Sequence, residues 1–98
     1  MAYKVILHED DAQPYYENQD SKSRKIIRDN LKKLEDDPYP RPGSGLGDME
    51  KIVFKGREAY RLHISRTHTA IYTVNEENGL VVVHEILDIG DAHKKYGY

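Results

Sequence analysis

Ninety-eight residues make one compact domain and are too few for two, since domains commonly run to about 100–150 residues. The absence of cysteine excludes a disulfide framework, a thiol nucleophile and a thiolate zinc site. A formal net charge of -2 excludes a uniformly basic nucleic-acid binder, although the charge is unevenly spread. Lys22, Arg24, Lys25, Arg28, Lys32 and Lys33 face one acid, Asp29, within their segment; Lys51, Lys55, Arg57, Arg61 and Arg66 face one acid, Glu58, within theirs.

Residues 3–8 carry Val5, Ile6 and Leu7 and read as a first strand, closed by Glu9-Asp10-Asp11. The apolar run is shorter than a signal-peptide core, and no stretch approaches the ~20 apolar residues of a membrane span. The expectation is a cytoplasmic protein with no membrane partner. Asp10 or Asp11 is placed to cap a short helix with Pro14 in its first turn, where a missing amide hydrogen costs nothing.

Ser21 is read as the cap of a second helix, in which Ile26, Ile27, Leu31 and Leu34 form one apolar stripe. Asp37-Pro38 ends it, because the residue before a proline is pushed out of the helical region; residues 38–45 continue as loop. Ile52-Val53-Phe54 predicts a strand stopped by Lys55-Gly56. Tyr60-Arg61-Leu62-His63-Ile64 alternates with period two, which assigns Tyr60, Leu62 and Ile64 to the core and puts Arg61 and His63 together on the opposite face.

Residues 68–74 read as a further strand, and Asn78-Gly79 supplies positive-φ residues for a hairpin into residues 80–87, the most apolar strand and the one expected at the centre. A polar tail, Asp91-Ala92-His93-Lys94-Lys95-Tyr96-Gly97-Tyr98, follows and is expected to form at most a turn of helix. Residues 1–98 are therefore expected to form a single α+β domain: an N-terminal strand, then a two-helix hairpin packed on one face of a largely antiparallel four- to five-stranded sheet. The other face is left to carry a site.

The blocks Leu34-Glu35-Asp36-Asp37-Pro38-Tyr39-Pro40, Gly56-Arg57-Glu58-Ala59-Tyr60-Arg61-Leu62, Ala70-Ile71-Tyr72-Thr73-Val74 and Ile86-Leu87-Asp88-Ile89-Gly90 resemble, in order and spacing, the RelE/ParE toxin superfamily over nearly the whole chain. The resemblance implies a microbial-RNase-type fold and, for RelE-like members, ribosome-dependent cleavage of mRNA. It also implies neutralisation by a cognate antitoxin in a hetero-oligomer of the two. ParE-like members share the fold and instead poison DNA gyrase, and a catalytically degenerate binding or regulatory protein is a third reading.

Metal-independent RNA cleavage needs a base for the 2'-hydroxyl, an acid for the leaving oxygen and cations for the charge on phosphorus. Arg61 and His63 stand where RelE-like members carry two basic residues on the Tyr-Arg strand. Two usual arginine positions are filled by Thr69 and Ala92. The tail instead looks like the histidine-using, YafQ-like branch, which implies His93 as general acid or base and His63 as its partner or as a transition-state donor. Arg61 and Arg66 are then assigned to phosphate and Tyr96 to stacking on or orienting a nucleotide.

Lys94, Lys95, His68, Lys51, Lys55, Arg57 and Arg28 are assigned to RNA or ribosome contact, with His68 expected close to Arg61 and His63. His8 is read as a surface group and His84 as a packed, hydrogen-bonded histidine. His84, Glu85, Asp88, Asp91 and His93 match no ligand spacing, and no metal or cofactor is expected.

Overall fold

A computed structural model of the chain describes residues 3–39, 49–65 and 67–88. The elements are β1 (Lys4–Leu7), α1 (Ala12–Glu17), α2 (Ser21–Lys32) with a 3₁₀ turn over Lys33–Glu35, β2 (Met49–Phe54), β3 (Arg57–Ile64), β4 (His68–Asn75) and β5 (Leu80–Asp88). They form the expected α+β arrangement, two helices on one face of a five-stranded sheet of order β1-β5-β4-β3-β2. The sheet is mixed, because β1 runs parallel to β5 with Val5 opposite Val81 and Leu7 opposite Val83. The most apolar strand, β5, is interior, but the middle position belongs to β4.

Asp20, not Ser21, caps α2: its carboxylate accepts the Ser23 N–H at 2.7 Å, which makes Ser21 the first helical residue. Asp11 occupies the cap position of α1 without a side-chain capping bond. The stripe on α2 behaves as its spacing requires. Ile27, Leu31 and Leu34 are buried against Leu62, Ile64, Ala70, Tyr72, Val81, Val83 and Ile86, and Ile26 packs on the margin. None of the helices among the described residues is long and apolar enough to cross a membrane.

Two described turns set the register of β2 with β3 and of β4 with β5. Lys55 and Gly56 both take positive φ, 51° and 77°, which is the geometry a two-residue hairpin needs between paired Phe54 and Arg57. Between β4 and β5 only Gly79 has positive φ, at 61°. Asn78 instead donates its backbone N–H to the Asn75 side chain at 3.2 Å, so the connection between paired Asn75 and Leu80 is a four-residue loop rather than a two-residue one.

A tyrosine cluster fastens the end of the helical segment to the sheet. The buried Tyr72 hydroxyl donates to the Pro38 carbonyl at 2.6 Å, Tyr60 stacks on Tyr72, and Tyr39 meets Tyr60 edge-on. Tyr3 and Tyr39 both donate to the Glu76 carboxylate. Those two bonds favour its ionised form and pull its pKa down.

Candidate functional site

Strand alternation divides the sheet into a helix-covered face and one on which no helix lies among the described residues, called the open face below. On the open face stand Glu50, Ile52 and Phe54 of β2, Ala59, Arg61 and His63 of β3, and Ile71 and Thr73 of β4. Phe54, Ala59 and Ile71 are buried there as a small apolar cluster flanked by Ile52. Alanine at position 59 leaves room for the Phe54 ring to lie across the strands and reach His84 of β5, at 5.4 Å between ring centroids.

Arg61 and His63 do share this face, as their spacing requires. Arg61 is nearly buried, at 8 % exposure, and its guanidinium is ion-paired with Glu50 directly across the β2–β3 ladder. His63 is half-buried beside it, opposite Thr69. The Thr69 hydroxyl donates to the Leu62 carbonyl at 3.2 Å. It serves the backbone of β3 where the superfamily pattern has an arginine.

Three assigned residues lie elsewhere, and this corrects the expectation of one shared surface. His68 pairs with Ile64 and points under the helices, where its Nδ1 lies 2.7 Å from the Tyr15 hydroxyl. Burial pushes its pKa down, with Asp88 and Asp20 opposing. Period two already puts His68 on the side of Ala70 and Tyr72, away from Arg61 and His63. Lys51 lies on the helix-side face and is bridged to Glu58 at 2.9 Å. Arg28 belongs to α2 and lines a cavity of about 280 Å³ with Val5, Leu7, Tyr16 and Leu31. Lys55 and Arg57 remain with the open face. Arg66, His93, Lys94, Lys95 and Tyr96 lie outside the described residues.

Sequence reasoning missed the environment of His84. Ile71 pairs with Glu85 but Tyr72 pairs with Val83, so β5 carries one extra residue, and this bulge turns Glu85 to the face where His84 already stands by alternation with Val83. His84 is hydrogen-bonded, as expected, with its Nε2 2.8 Å from the Thr73 hydroxyl oxygen. It also stacks on His8 at 5.9 Å. Burial lowers its pKa, and His8, Arg57 and Lys55 lower it further, which leaves a neutral imidazole at pH 7.

Cavities open around this histidine. One of about 200 Å³ is lined by Phe54, Lys55, Arg57 and His84, and an adjacent one of about 190 Å³ adds His8, Asp10, Asp11 and Glu85. The sequence signal for the bulge is the core spacing Val81, Val83, Ile86, which slips from two to three at His84-Glu85. Among the described residues no three metal-ligating side chains converge.

Two helices laid on one face of such a five-stranded sheet match the fold of solved RelE- and YoeB/ParE-type toxins. A chain of the archaeal RelE–RelB complex from Pyrococcus horikoshii OT3 superposes with a TM-score of 0.72 at 21 % identity, over 92 % of this chain and 98 % of that one. The YoeB/ParE toxin of Agrobacterium tumefaciens gives 0.67 at 16 % identity, covering 87 % and 96 %. The YoeB dimer of Staphylococcus aureus gives 0.64 at 21 %, covering 87 % and 94 %. Sequence comparison finds no matching family model and no matching curated protein.

Proposed function

We propose that this chain is the toxin of a type II toxin–antitoxin pair and a ribosome-dependent mRNA endonuclease. The observation that carries the reading is that Arg61 and His63 stand together on the face of a RelE-like sheet opposite the helices. In this reading RNA lies on that face. A histidine takes the 2'-hydroxyl proton while arginine offsets the negative charge that builds on phosphorus, so cleavage requires no metal. His93 acts as general acid or base with His63 beside it, Arg61 and Arg66 hold phosphate, and Tyr96 stacks on or orients a nucleotide. Lys94 and Lys95 bind RNA or the ribosome. The partner is an antitoxin, as RelB is for RelE and YefM for YoeB in the solved complexes.

The test is induction of the chain without a partner, followed by transcript mapping and a cleavage assay on programmed ribosomes. Growth arrest with cut transcripts is expected. Intact transcripts with lost supercoiling would move the reading to gyrase. One observation favours a second reading, a binding protein without catalysis: Arg61 is already ion-paired with Glu50. Tight ribosome binding with no cut product would support it.

A further inference from the structure

The open face has a second basic end. Arg57 and His63 lie six residues apart on one face of β3, which separates them by about 20 Å along the strand. At the Arg57 end the cations are not spent on carboxylates. Lys25, Lys51 and Arg61 are ion-paired with Asp29, Glu58 and Glu50, whereas among the described residues neither Lys55 nor Arg57 has a carboxylate partner; Lys55 only overlies the Phe54 ring, at 5.2 Å.

His84 completes the arrangement. Alternation with Val83 puts its ring on the face of Phe54 and Arg57, where it lines one cavity with these cations. In the tautomer whose Nε2 accepts from the Thr73 hydroxyl, Nδ1 carries the proton and is left to donate, with no hydrogen-bond partner among the described residues. The acids of this end lie in the flanking cavities, Asp10, Asp11 and Glu85 on one side and Glu76 and Glu77 on the other. The cavity of about 200 Å³ between them is lined by cations, an imidazole and an aromatic ring alone.

We propose that the cavity bounded by Phe54, Lys55, Arg57 and His84 is a second anion subsite, which takes a backbone phosphate of single-stranded RNA several nucleotides from the phosphate at Arg61 and His63. This rests on the reading that RNA lies on the open face. Two cations and a neutral N–H donor suit a phosphodiester, which carries one charge and two free oxygens. The negative flanks confine the strand to the line between the two ends.

The experiment measures anisotropy of a labelled single-stranded 2'-O-methyl oligonucleotide, which the full-length protein binds without cutting, across a salt series. The Lys55→Ala/Arg57→Ala pair weakens binding about tenfold or more and lowers the slope of log K against log salt by about 0.7, the share of one single-strand phosphate. Lys25→Ala, an equal kind of charge change on α2, leaves both unchanged. The side-chain nitrogen resonances of His84 shift as the oligonucleotide is added. Unchanged affinity and slope in the double variant, or His84 resonances that move with a poly-glutamate peptide and not with RNA, overturn the subsite. Normal cleavage on ribosomes combined with unchanged oligonucleotide affinity sinks the subsite alone. Oligonucleotide binding through this cavity without cleavage sinks the nuclease reading alone.

Discussion

The Arg61–Glu50 pair makes an asymmetric prediction. The Arg61 side chain is 10 % exposed and Glu50 is 51 % exposed, so the cation is nearly out of water while the anion is half in it. Removing one partner of a fully buried pair costs about 3–5 kcal/mol, and exposed pairs are worth about 0–1 kcal/mol. Glu50→Gln keeps the shape but takes the carboxylate charge away from a nearly buried guanidinium, and about 2 kcal/mol is expected between those limits. In a domain of this size that lowers the melting temperature by roughly 8–16 °C.

Arg61→Met should cost less, because water already reaches the carboxylate it leaves behind. The double variant should recover much of the Glu50→Gln loss. Thermal and urea melts of the four proteins give the coupling energy directly. Equal losses in the two single variants, or a coupling below about 0.5 kcal/mol, would refute the account of Arg61 as a nearly buried cation stabilised by Glu50. The same set reports on function, since Glu50→Gln retains the arginine charge and should retain cleavage, whereas Arg61→Met should lose it.

Tyr72→Phe leaves the buried Pro38 carbonyl without its donor and should destabilise the protein by about 1–3 kcal/mol in urea titrations; a loss under about 0.5 kcal/mol would mean that water replaces the hydroxyl. The folded-state pKa of His68 is depressed, so the unfolded chain takes up its proton first. The stability this contributes is fully present above about pH 6.5 and is lost as pH falls from there through the folded value, and His68→Gln should flatten that part of a stability–pH curve. His93→Ala should reduce single-turnover cleavage about 10²–10⁴-fold with the melt unchanged, and full activity would remove His93 from the site.

Much of this molecule is written in short-range periodicity. The α2 stripe reappears as the buried set Ile27, Leu31 and Leu34, and the β3 alternation separates Leu62 and Ile64 from Arg61 and His63. What periodicity does not carry is pairing between distant segments. Nothing in residues 4–7 says that they lie parallel to residues 80–83, because the same apolar run suits either direction. Sequence reading puts the α2 cap at Ser21, and only the bond from Ser23 places it one residue earlier, at Asp20. His68 shows the opposite failure. Its parity with Ala70 and Tyr72 is legible, but the expectation that the neighbouring strand brings it to Arg61 and His63 overlooks that His68 pairs with Ile64, on the other face.

The bulge at His84-Glu85 explains why a site on this face is hard to find from sequence. In an unbroken period-two strand with Val81 and Val83 inward, Glu85 would be buried beneath the helices and Ile86 would face out. The extra residue lets Ile86 return to the core and swings Glu85 to the other side with His84. One inserted residue thus keeps a carboxylate out of the main core and sets it next to His84, which lines a cavity with two cations that lack carboxylate partners among the described residues. Deleting Glu85 tests whether that register matters. A straightened β5 should leave the core spacing intact but lose the second side chain from the open face, so a folded deletion variant that binds the oligonucleotide like the wild type would show that the bulge serves packing alone.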